Sequence, residues 1–243
     1  MRALMVCEYR KLATLRSTWW ALLLAPLTAA VVAAVGVHLA PVSDHLVVTE
    51  AARAVAEPLW LVVIVIAILA SAGEFQHRTI LTTLLAAPRR TVGLGAKAAA
   101  IAGYGALLTG LGLAAALLST IVTANVEGEA LHAGQSSAWT GLVGGILVGA
   151  LFGMLASGLG MLTRSTALAL TTLLLWRFVG EGVLPVITRQ PGISEWTPSG
   201  AARAIVHPVG QTLSAPAGGL LLLGYVTLVA AAATWTFHHR DPI

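Results

Sequence analysis

Six apolar runs, each close to the length that crosses a bilayer, dictate the solvent in which this chain folds. A helix needs about 20 predominantly apolar residues to span the roughly 30 Å hydrocarbon core. The runs cover about Trp19 to Ala40, Pro58 to Gly73, Ala98 to Thr123, Trp139 to Leu162, Thr166 to Ile187 and Ala217 to Phe237. The second is the shortest, and its helix begins either at Pro58 or earlier, through Glu50, Arg53 and Glu57. Only 10% of the 243 residues are charged, against about 25% in an average soluble domain, and the mean hydropathy is +0.86. The spans and their short connections consume residues 1–243 as a single transmembrane domain, so any nucleotide-binding domain belongs to another chain.

The lysines and arginines set the expected topology. With a cytoplasmic N-terminus, the inner segments hold Arg2, Arg10, Lys11, Arg16, Arg78, Arg89, Arg90, Lys97, Arg164 and Arg240. The outer ones hold only Arg53, Arg189 and Arg203, while Arg177 lies within a span. Ten against three is the asymmetry of a multi-pass protein with both ends in the cytoplasm. The same scatter argues against a nucleic-acid footprint, which needs clustered basic residues. The first apolar run is too long for the core of a typical signal peptide and is expected to remain in the protein.

Ahead of the first span, Leu4, Met5, Leu12, Leu15 and Trp19 fall near one helical face, with Arg2, Arg10 and Lys11 largely elsewhere. This pattern reads either as a basic amphipathic helix in the membrane interface or as an ordinary charged flank. In the fourth run, Gly141, Gly145, Gly149, Gly153 and Ser157 recur at every fourth position, a stripe for close helix packing.

Between the second and third runs, Ile80, Leu81, Leu84 and Leu85 form an apolar stripe that Pro88 ends. Glu74, Phe75, Thr79, Ile80, Leu84, Leu85, Pro88, Arg89 and Lys97 stand at the places where ABC-2-type exporter permeases carry an acid, an aromatic, a Thr-Ile pair, a Leu-rich turn, Pro, a basic residue and a later Lys. The N-terminal EYRKLATLRSTWW is similar to that family's entry helix, and the resemblance extends over nearly the whole chain. It implies an all-α, six-span exporter subunit of the bacterial cytoplasmic membrane, with a coupling helix at about 75–90 and short re-entrant helices between spans five and six. It also implies a dimeric ABC ATPase as partner, carrying ATP and Mg, and a second permease copy or paralogue. By the same resemblance, Glu74, Phe75, Thr79, Arg89 and Arg90 couple to the ATPase. The chain itself has no G-x-x-x-x-G-K-[ST] and is expected to be non-catalytic, to bind no cofactor or metal, and to move an amphipathic, lipid-like, drug or peptide substrate.

Arg177 and Glu181, an i, i+4 pair inside the fifth run, read either as pathway or gating groups or as an internal pair that orients the helix. Thr197 and Pro198 suit an N-cap and first turn, and Trp196 suits an interface anchor or a substrate contact. Two other functions fit less of the sequence: a non-transporting assembly or regulatory subunit of the same fold, and an intramembrane protease built on Ser157 and His207.

Overall fold

The computed structural model describes residues 2–39, 46–47, 54–76, 90–127, 131–132, 136–207 and 212–239. Helix α1 spans Arg2–Thr14 and α2 Arg16–Leu39; α3 spans Ala56–Gln76, α4 Arg90–Glu127 and α5 Ser136–Thr163. The fifth span is compound: α6 (Thr166–Leu175), a π-helical turn (Trp176–Gly180) and α7 (Glu181–Thr188). A 3-10 helix (Pro191–Trp196) and α8 (Pro198–Val206) lead to α9 (Ala215–His239). Among the described residues, six helical stretches are long and apolar enough to cross a membrane, and they coincide with the six runs of the sequence to within a few residues at most ends. A two-residue parallel pairing, β1 (Leu46–Val47) with β2 (Leu131–His132), joins the α2–α3 connection to the α4–α5 connection.

The bundle is organised around α3. Its sequence from Leu59 to Ala72 is apolar on every side, the mark of a helix enclosed by others, and Leu59, Trp60, Val63, Ile64, Ile66, Ala67 and Ile68 are all buried. Helices α2, α4, α5 and α6 pack around it. In a bilayer the lipid tails are as apolar as leucine, so tight contact between helices depends on small residues. Two stripes supply them. On α2, Ala21, Ala25, Ala29 and Ala33 are buried at every fourth position on the side that runs along α4. On α5, Gly149 faces Thr109 and the Gly105 carbonyl of α4, and Gly153 faces Ile101 of α4 and Val63 of α3. At the stripe's end, the Ser157 hydroxyl shares a 2.7 Å hydrogen bond with Ser71 of α3.

Helix α4 is 38 residues long, or about 57 Å at 1.5 Å per residue, so it projects well beyond the hydrocarbon core. Its first two turns, from Arg90, therefore extend the third span towards the side on which α3 ends. The compound fifth span is the least enclosed of the six. Ala169 is the one buried residue of α6, while Leu168, Leu175, Trp176, Phe178, Val186 and Ile187 face outward.

The 3-10 helix and α8 occupy the connection in which short re-entrant helices are expected. Thr197 caps α8, its Oγ1 accepting the Gly200 N–H at 3.1 Å while donating to the Ser194 carbonyl at 2.7 Å. Helix α8 packs against α5 and α9, with Ile205 over Gly144 and Ala201 against Gly218.

A Cβ added at Gly105 would stand 2.6 Å from the Gly149 carbonyl oxygen. Gly105→Val should therefore lower stability by roughly 1–3 kcal/mol through overpacking. Gly224→Ala, with open space around it, should leave stability unchanged or slightly higher. Thermal unfolding in detergent measures both.

Candidate functional site

Charged groups concentrate at the two ends of α3. From Glu57 to Glu74 is seventeen residues, about 26 Å along the axis, which is close to the thickness of the hydrocarbon core.

At one end, four charges from three helices meet. Glu74, in the last turn of α3, is buried and lies 2.7 Å from Lys97 Nζ of α4. Lys97 is itself only 4% exposed and reaches Glu8 Oε2 of α1 at 3.1 Å. Lys11 of α1 closes the ring, 2.6 Å from Glu8 Oε1 and 3.1 Å from Glu74 Oε1. Two carboxylates and two ammonium groups compensate one another, the condition for holding charges out of water. Burial alone would raise the Glu8 pKa, but Lys97 and Lys11 together hold its carboxyl below the ordinary 4.5. For Lys11, burial works downward, and the contacts with Glu8 and Glu74 outweigh it, so its pKa lies above 10.5.

The flanks of the expected coupling helix lie in α3 and α4. Glu74 and Phe75 belong to the spanning helix α3, and Arg90 opens the spanning helix α4, because each continues the regular hydrogen bonding of its helix. The remainder, residues 77–89 with Thr79 and Arg89, lies outside the described residues. Lys97, expected in a cytoplasmic loop, is in α4 with its side chain turned inward. Phe75 packs beneath Arg164, whose guanidinium carbon sits 5.5 Å from the ring centroid. Arg164 takes the left-handed conformation (φ 54°) at the α5–α6 junction.

At the other end, Arg177 and Glu181 do pair, at 3.4 Å, but the stronger contact of Arg177 is with Glu57 of α3 at 2.7 Å. Arg177 lies in the π-helical turn, a local widening often found at functional positions. Glu181 is buried, and its second oxygen accepts the Ser199 N–H at 3.4 Å in the first turn of α8, where a negative charge is favoured. Arg203 of α8 approaches Glu57 at 3.7 Å. Beneath these charges lies an open groove walled by Trp60, Ile64, Phe152, Leu155, Leu173 and Trp176. Trp60 and Phe152 meet at a tilt, with centroids 5.7 Å apart.

Glu195 pins the 3-10 helix to the start of α9, accepting from the Thr212 hydroxyl and, at 3.0 Å, from the Thr212 and Leu213 N–H groups. These bonds, the Thr212 hydroxyl foremost, lower its pKa. Trp196 is 59% exposed and its carbonyl accepts from Tyr225 of α9. No group of three or more metal-ligating side chains occurs among the described residues; His38 instead contacts Glu127 at 2.9 Å, bridging α2 and α4. Ser157 is bonded to Ser71, while Val206, beside His207, packs over Gly145, twelve residues from Ser157 along α5. That is about 18 Å, too far for the serine–histidine pairing that a protease would require.

Sequence reasoning did not single out Glu8, Glu57, Lys97 or Arg203 as site residues. One signal for Glu8 was available: Leu4, Glu8 and Leu12 share a helical face, which sets an acid in the middle of an apolar stripe. Comparison of the chain with models of known protein families and with curated proteins finds no match. By its fold the chain is a multi-pass helical membrane protein.

Lys97→Met leaves two buried carboxylates facing one ammonium, and should cost about 3–5 kcal/mol; adding Glu74→Gln should restore part of the loss, measured as thermal stability in detergent. A depressed carboxylate pKa contributes stability above 4.5, lost as pH falls through the lower folded value. A raised lysine pKa contributes below 10.5, lost as pH rises through the higher folded value. A nitroxide on Cys7 of α1 should therefore stay immobile across the range between them and become mobile in acid below it.

Proposed function

We propose that this chain is the six-span membrane subunit of an ATP-driven exporter of the ABC-2 type, with both ends in the cytoplasm and ATP hydrolysis on a partner chain. The observation that carries the reading is the 2.7 Å contact between Glu74 and Lys97. These two residues lie on either side of segment 77–89, so the helices that flank it, α3 and α4, are held together, and Glu8 and Lys11 tie them to α1. A push on a segment anchored in this way moves α1, α3 and α4 as one body. Coupling needs such an element, with different positions in two states of the motor. The outward apolar face of α6 supports a second copy or paralogue alongside, and the groove below Arg177 supports an amphipathic substrate.

Purification from native membranes in mild detergent tests the proposal. A stoichiometric ATPase with a P-loop should accompany the chain, and should be lost when residues 77–89 are replaced by a Gly/Ser segment of equal length. Isolation without an ATPase, under conditions that preserve other ABC complexes, would contradict it.

A further inference from the structure

The groove beside Arg177 has an asymmetry that identifies a ligand. Its apolar wall follows α3 from Trp60 through Leu61 to Ile64 and is completed by Phe152, Leu155, Leu173 and Trp176. It extends about 10 Å down α3 from Glu57. Leu61 and Leu173 are partly exposed and Trp176 is 45% exposed, so the groove opens sideways onto the surface that meets lipid. At its upper end stand two carboxylates, Glu57 and Glu181, and two guanidinium groups, Arg177 and Arg203.

The use of these four groups is uneven. Glu181 is occupied on both oxygens, by Arg177 and by the Ser199 N–H. Glu57 receives Arg177 on Oε2, whereas Oε1 has only Arg203 Nε, at 3.7 Å, beyond hydrogen-bond distance. Arg203 directs Nε to the Ser199 carbonyl at 3.4 Å, and its two terminal nitrogens have no partner among the described residues. The upper end thus offers one open acceptor on Glu57 and a fork of open donors on Arg203, with the four charges already in balance. A zwitterion matches this pairing of one open acceptor with open donors and leaves the balance of the four charges unchanged.

We propose that this groove holds a phospholipid whose headgroup carries both a phosphate and a primary ammonium. The phosphate lies against the terminal nitrogens of Arg203, the geometry that guanidinium suits best. The ammonium donates to Glu57 Oε1, and one acyl chain lies along Leu61, Leu173 and Trp176 at the groove's opening. This rests on the membrane setting of the fold alone and is independent of whether the chain exports anything.

The test equilibrates the purified full-length chain with mixed micelles holding equal amounts of phosphatidylethanolamine, phosphatidylcholine and phosphatidylglycerol, all with oleoyl chains. Lipid retained per protein is then counted by native mass spectrometry. Phosphatidylethanolamine should be retained roughly tenfold over the other two, the scale of one hydrogen bond to a charged group. Glu57→Gln should erase that preference, and Leu173→Trp, which fills the groove without touching the charges, should abolish retention at an unchanged unfolding temperature. Equal retention of the three lipids overturns the proposal, as does a preference that survives Glu57→Gln. If Leu173→Trp fails to fold, the Glu57→Gln comparison decides alone.

Discussion

Glu8, Lys11, Glu74 and Lys97 form a closed ring of four charges, and the arrangement of the bundle at that end depends on its closure. A buried ion is tolerated only when its partners are in place, since desolvation otherwise exceeds what remaining contacts return. The ring therefore specifies geometry more than it adds stability. It fixes the side of α1 that faces inward, the register of α3 against α4, and the distance between the two flanks of segment 77–89. Docking α1 by its leucines alone would allow it to slide, whereas Glu8 between two lysines does not.

Helix α3 carries this constraint through the molecule. It is enclosed by apolar neighbours over its middle and charged at both ends, about 26 Å apart. The lower end meets α1 and α4; the upper end meets the π-helical turn of the fifth span and α8. The glycines of α5 and alanines of α2 let the surrounding helices close around it with backbone nearly in contact, so a displacement at one end has few soft places in which to be absorbed. The widened turn around Arg177 is one of them, and it lies where the groove opens.

The parts legible in sequence were those with a strong local signal. Six spans follow from length and hydropathy, the α5 stripe from its spacing of four, the α8 cap from Thr197-Pro198, and the Arg177–Glu181 pair from i, i+4 placement. What escaped depends on contacts distant in sequence. Glu57 reads only as a possible early start of the second span's helix until the π-helical turn brings Arg177 against it, 120 residues later. Lys97 reads as a topology charge because only the fold shows α4 beginning near Arg90 and turning that lysine inward. Arg203 and Glu195 sit in a connection whose short helices carry no long-range period. In each case the partner was set by tertiary packing.

If the charge ring holds α1 to the α3–α4 junction, the distance from α1 to the far end of the bundle depends on it. Cys7 is the chain's single cysteine and is exposed on α1; a second label fits at Gly182→Cys, where no neighbouring atom lies within 4 Å. Pulsed electron resonance between the two labels in lipid nanodiscs should give one narrow distance distribution with the ring intact, and a broad, shifted one in Lys97→Met. An equally narrow and unshifted distribution in Lys97→Met would contradict the account, because α1 would then be held in place by something other than the ring.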